Sequence, residues 1–233
     1  MAKLAWDQTG EKLYETGTDR GVLFVMGTDG TYGKGVAWNG LTGVSENPSG
    51  ADANPIYADN IKYLELRSAE EFGCTIEAYM YPDEFAVCDG SAFAVPGLRL
   101  GQQRRTPFGF SYRTRLGNDV MFDDYGYKIH IVYNATAAPS GRSYQSVNDS
   151  PEAITFSWEV TATKVPVTKL DASNNVVEVL DANSKPYRPV ASLEIDSTKV
   201  DPAKLAALEA KLYGSENGDA ELPTPGEVIA LLT

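Results

Sequence analysis

Few side chains in this sequence could do chemistry, and their spacing suits it poorly. His130 is the only histidine. It falls on the polar side of a strand-like run with no nucleophile motif beside it. Triads, near-neutral general bases and most zinc sites need histidine, so a place on the sheet surface is expected instead. Cys74 and Cys88 are 14 residues apart, with no CxxC spacing. Cys74 reads as a small buried hydrophobe, and neither a disulfide nor a metal site is expected. The doublets Glu70-Glu71, Asp83-Glu84 and Asp123-Asp124 could supply the paired acids of a glycosidase. Each falls in a turn or at a helix start, where acids have ordinary reasons to sit. Glycine is dense over residues 27–50, yet GxxxxGK[ST] is absent and Gly33-Lys34-Gly35 lacks a strand-to-helix setting. The expectation is a chain that is not an enzyme and takes no cofactor and no metal.

The bulk numbers narrow the classes further. At 233 residues and 42% hydrophobic content the chain can bury a sizeable core. A formal charge of −12 opposes attraction to phosphate backbones or anionic lipid. Residues 1–7 lack the apolar run of a signal peptide, and no segment approaches the ~20 apolar residues of a membrane span. Synthesis and folding in a cytoplasm are expected.

The elements that would position a site are strands. Residues 61–66 and 72–80 read as two strands joined by the polar residues 67–71, and an antiparallel pairing of the two is expected. In the second, Phe72, Cys74, Ile76, Ala78 and Met80 alternate with Gly73, Thr75, Glu77 and Tyr79, the period of a half-buried strand. The pair would carry Lys62, Glu65, Thr75 and Glu77 on one wet face. Residues 82–88 read as a short helical turn with acids in its first turn, stopped by Asp89-Gly90.

Upstream, residues 12–15 and 22–26 read as strands around a tight turn, with Asp19-Arg20 a solvated charge pair in it. Short strands are expected near 36–38 and 41–45. Downstream, the Arg104-Arg105 doublet reads as a solvated loop or a contact for an acidic neighbour. Residues 108–115 alternate a greasy face with a basic one. They pair as a hairpin with residues 127–134 through a long acidic, aromatic loop that holds Asp123 and Asp124. Residues 153–163 give the cleanest alternation, with Ile154, Phe156, Trp158, Val160 and Ala162 on one face, after a turn at 148–151. Composition then shifts: residues 164–189 suggest an exposed polar arm or hairpin. Residues 190–233 form a smaller unit with a strand and two helices. Asp201 as N-cap, Pro202 at N1 and Gly214 at C′ bound the first helix, and a capping-box spacing opens the second at Thr224.

The segments TGTDRGVLF (16–24), VAWNGLTGVSENPSGADANPIYADNIKYLELRSAEEFGCTIEAYMYPDEF (36–85), FGFSYRT (108–114), DYGYKIHIVYNATAAPS (124–140) and NDSPEAITFSWEVT (148–161) together resemble the major tail protein, or tail tube protein, of long-tailed bacteriophages. The C-terminal DSTKVDPAKLAALEAKLYG is similar as well. Order and extent carry the likeness, which divides the chain into a tail-tube β domain (1–163), the arm (164–189) and a C-terminal unit (190–233). The resemblance implies a mainly β, two-sheet sandwich or barrel with a flanking α-helix. It implies homo-hexameric rings stacked into a tube in the virion tail, contacts with tape measure, tail terminator and tail tip proteins, no membrane, and DNA passing through without specific binding. Six copies at −12 would carry −72 per ring, a field that keeps DNA off the wall. On this reading Lys62, Glu65, Thr75 and Glu77 face the lumen, and Asp19, Arg20, Arg104, Arg105, Asp123 and Asp124 lie in inter-subunit loops. The alternatives are a monomeric β-sandwich binding module with Trp38, Tyr79 or Tyr125 as stacking platforms, and a virion decoration protein.

Overall fold

The computed structural model describes residues 3–147, 149, 152–171, 175–216 and 218–233. The expected turn at 148–151 falls mostly outside them. In chain order the strands are β1 (Tyr14–Val25), β2 (Val36–Trp38), β3 (Leu41–Glu46), β4 (Ser49–Gly50), β5 (Ala53–Ala58), β6 (Ile61–Arg67), β7 (Glu70–Ala78), β8 (Ala92–Val95), β9 (Leu98–Leu100), β10 (Phe108–Asn118), β11 (Phe122–Ala137), β12 (Phe156–Ala162), β13 (Thr168–Leu170), β14 (Val176–Glu178) and β15 (Ser192–Asp196). A 3-10 turn covers Asp83–Val87, and the helices are α1 (Pro202–Tyr213) and α2 (Pro225–Leu232).

Nine strands form one antiparallel sheet whose main path runs β2-β1-β10-β11-β12-β7-β3. β11 is long enough to serve two neighbours on one side. Its Lys128–Val132 part pairs with β15 and its Ala135–Ala137 part with β12. There the sheet divides, and β12-β7-β3 folds back over β2-β1-β10-β11. Leu23, Phe110 and Val132 from one layer thus share a core with Ile76, Trp158 and Val160 from the other. Phe85, brought in by the 3-10 turn, plugs this core with its ring 5.1 Å from Trp158 and 4.7 Å from Trp38. The result is a mainly β sandwich with flanking helices.

A second core lies on the reverse face of β1 and β11, where Val22, Phe24, Ile129, Ile131 and Tyr133 meet Leu205, Leu208 and Leu212 of α1 and Val228 of α2. Gly109 on β10 makes room for this layer, because a Cβ there would lie 2.2 Å from a methyl of Leu222. β1, β10 and β11 are therefore covered on both faces, and burial runs almost unbroken from Phe108 to Tyr112.

The helix boundaries follow from local chemistry. The Asp201 carboxylate accepts from the backbone N–H of Ala203 (2.9 Å) and Lys204 (3.3 Å), and losing such a cap costs about 1 kcal/mol. Gly214, at φ 82°, ends α1. Thr224 and Glu227 form the capping box of α2. The base of the 164–189 stretch is tied to that helix: the Thr224 hydroxyl donates to the Thr168 carbonyl at 2.9 Å, and Val167 and Val179 are buried.

Three expected features are corrected. β6 does not pair with β7; it pairs with β5, while β7 pairs with β12, β3 and β4. Residues 14–25 are one strand, not two around a turn. The glycine and polar residues between the apolar ends form bulges, with Gly17 at φ 65° and Arg20 at φ 50°. The long loop after β10 is short, because Asn118 pairs with Phe122 and the acids Asp123 and Asp124 begin β11.

Candidate functional site

One part of the molecule poorly covered by its own chain is the β5–β6 hairpin. Its turn is Asp59-Asn60, with φ 51° and 65°, the double left-handed conformation of a two-residue hairpin loop. Ala58 pairs with Ile61, Tyr57 with Lys62, Ile56 with Leu64, Pro55 with Glu65, Asn54 with Leu66 and Ala53 with Arg67. Tyr63 is thus an inserted residue, and it shifts every position beyond it to the other face. Ile56, Ile61, Leu64 and Leu66 then line up on one face with Asn54, and Lys62, Glu65 and Arg67 on the other with Tyr57 and Pro55. Glu65 holds both cations, Lys62 directly and Arg67 at 2.8 Å. On the apolar face Ile61 is 64% and Leu66 53% exposed, while Ile56 and Leu64 are 39% and 38% exposed. Among the described strands the hairpin pairs with none but its own two members. A two-stranded ribbon alone in water is marginal, and an uncovered apolar face on one calls for a surface to lie against.

The residues expected to share a wet face are divided between two sheets. Lys62 and Glu65 lie on the polar side of the hairpin. Thr75 and Glu77 lie on β7 in the main sheet, opposite the buried Cys74 and Ile76. The division follows from the pairing of β6 with β5 and not with β7, while the bulge at Tyr63 keeps Lys62 and Glu65 on one face.

Of the residues expected in inter-subunit loops, several are committed inside the subunit. Asp19 pairs not with Arg20 but with Arg113, through bonds of 2.7 and 2.8 Å, and with Arg115 at 3.3 Å. The Arg113 hydrogen bonds hold its carboxyl below the ordinary value against the opposing pull of burial. Arg20 lies over the Tyr213 ring, 5.6 Å from its centre. Arg105 is half-buried and donates to the carbonyls of Ala137 (3.1 Å) and Ala138 (3.4 Å). Arg104, Asp123 and Asp124 are exposed, and the Asp123 carboxylate accepts from the Tyr14 hydroxyl.

His130 is not on the surface. It stacks on Tyr112 with ring centres 4.6 Å apart, and its Nε2 lies 3.0 Å from the Thr114 hydroxyl. Tyr112 donates to Glu46 at 2.7 Å, and Glu46 comes within 3.8 Å of the His130 Nδ1. Burial pushes the His130 pKa below its ordinary 6.5, with Glu46, Glu194 and Glu15 pulling the other way. A depressed folded-state value means that the unfolded chain takes up the proton first. The contribution is therefore complete above about pH 6.5 and is lost as pH falls from there through the folded-state value. The melting temperature is expected to drop between pH 7.5 and 5 less steeply for His130→Gln than for the unaltered chain. Parallel pH profiles would contradict this account.

Cys74 and Cys88 are both buried and unbridged, and burial pushes each thiol up to about 12. Trp38, one of the expected stacking platforms, is buried in the first core and donates to the Met80 carbonyl at 3.0 Å. No three His, Cys, Asp or Glu side chains come together as metal ligands among the described residues. No helix among them is long and apolar enough to cross a membrane. Sequence reasoning missed the greasy face of the hairpin and the burial of His130. The first hides behind one inserted residue; the second follows from the covering of β11 on both faces, which alternation does not report.

No family model matches the chain, and no curated protein matches it. Among solved structures, a chain of an extracellular contractile injection system, in a sheath–tube complex in the extended state, is similar over 62% of this chain and 85% of that one. The identity is 15% and the TM-score 0.29.

Proposed function

We propose that this chain is a structural, non-enzymatic subunit that assembles with copies of itself into stacked hexameric rings forming the tube of a phage tail, the conduit for DNA ejection. The observation that carries the reading is the uncovered apolar face of the β5–β6 hairpin. Ile56, Ile61, Leu64 and Leu66 stay 38–64% exposed in their own subunit, and another copy is the partner always present at matching concentration. Two further features support it. β3 and β15 each pair along one side among the described strands, so neighbouring subunits could extend the sheet at both places. The sequence resemblance over most of residues 1–163 points the same way. In this assembly DNA passes without specific binding, tape measure, terminator and tip proteins meet the ends of the tube, and the protein resides in the virion. The polar faces that carry Lys62 and Glu65 on the hairpin and Thr75 and Glu77 on β7 are the candidates for the lumen.

Negative-stain microscopy of the purified protein across a concentration series tests this. Rings or tubes are the expected particles. Small compact particles at every concentration would favour a monomeric binding module and end the assembly reading.

A further inference from the structure

A second surface stands out by charge. Between the β8–β9 hairpin and residues 139–142 lies an open cleft whose lining includes Asp89, Ser91, Arg99, Gln103, Arg105 and Arg142. It holds three guanidinium groups and one carboxylate, a formal +2. The rest of the chain has 17 basic residues against 31 acidic ones, a formal −14. The cleft is a cationic spot on a strongly anionic molecule.

Its arginines are held in place. Arg99 lies over the Tyr81 and Phe93 rings, 5.2 and 4.9 Å from their centres, and donates to the Tyr81 hydroxyl. Arg142 lies over Tyr81 and Phe156, 5.5 Å from each. Arg105 is anchored on the two backbone carbonyls of Ala137 and Ala138. Asp89 is saturated: Trp158 donates to it at 3.2 Å, Arg142 bonds it directly, and Arg105 comes within 3.7 Å. Asp83 reaches Arg99 from the rim at 3.5 Å, but its side chain is 84% exposed, so water screens that pair. A guanidinium whose flat face rests on an aromatic ring keeps N–H groups on its edge for a second partner. Carboxylates match that edge with two parallel bonds.

We propose that this cleft receives carboxylate side chains from a second copy of the chain; the inference rests on the self-assembly reading above. Copies carrying −12 each repel one another as they approach. A recessed, pre-ordered cationic cleft offsets that repulsion at one place and so fixes the register in which copies meet. Hydrophobic contact through the hairpin supplies attraction without direction, and the cleft supplies direction.

Two variants test the inference. Arg99→Glu/Arg142→Glu reverses the charge and is expected to raise the concentration needed for assembly by about tenfold or more. Arg142→Glu faces Asp89 and could unfold the subunit, so a second variant, Arg99→Lys/Arg142→Lys, keeps the charge and adds two reactive amines. Light and heavy isotope-labelled copies of it are assembled together and treated with a zero-length carbodiimide. Cross-linked peptides joining position 99 or 142 of one copy to an acidic residue of another are expected. Links confined to Asp83 or Asp89 of the same copy, or unchanged assembly of a folded charge-reversed variant, would overturn the inference and leave the assembly reading standing. An unaltered chain that never assembles would remove both.

Discussion

With residues 53–67 replaced by a short Gly-Ser turn, the chain is expected to fold, to remain monomeric and to sediment as one small species at concentrations where the unaltered chain is expected to form large particles. The excision spares the subunit because β5 and β6 pair with each other and with no other described strand. Both sandwich cores are built from other segments, so the melting temperature should stay within a few degrees. Assembly suffers because Ile56, Ile61, Leu64 and Leu66 would otherwise be covered in a neighbour. At about 1 to 1.5 kcal/mol for each partly exposed side chain, that burial is on the order of 5 kcal/mol per docked hairpin. A milder variant, Ile56→Asp/Leu64→Asp, keeps the hairpin and spoils its apolar face, and it should assemble as poorly as the excision. Analytical ultracentrifugation reads both, and unimpaired assembly of either would show that the hairpin is not the joining element.

Trp158→Ala is expected to cost about 3–5 kcal/mol of folding stability, among the largest losses for a single side chain in this molecule. Trp158 is fully buried, with the rings of Trp38, Tyr81, Phe85 and Phe156 between 5.1 and 5.9 Å away. Its indole N–H also donates to Asp89, so truncation leaves a cavity and removes one donor from a carboxylate whose side chain is 8% exposed. Against a typical total of about 5–15 kcal/mol, such a loss should move the urea midpoint by a large fraction of its value. Trp6→Ala, at a site 75% exposed, should shift it little. A similar small shift for both variants would refute the assignment of Trp158 to the centre of the sandwich.

What could be read from the sequence was local or one-sided. The alternation in β7 and β12 was legible because each has one buried face and one wet face. The caps of α1 and α2 were legible because Asp201, Pro202, Thr224 and Glu227 act within one turn of their own helix. In β10 and β11 the same reading failed at His130 and Ser111, which fall on the polar phase yet are buried, because these strands are covered on both sides. Alternation reports a face and not a partner, so it paired β6 with β7 on proximity in the chain. The join of Asp19 to Arg113 spans 94 residues and leaves no local trace. At the hairpin the decisive feature was Tyr63, one inserted residue that turned an apparently mixed ribbon into an amphipathic one.

Both native sulfhydryls lie inside the protein and resist ionisation, so the folded chain is quiet towards maleimides and other thiol-directed reagents. A single cysteine placed at the hairpin tip would therefore take a fluorophore selectively, and its emission would follow that tip from water onto whatever surface it meets.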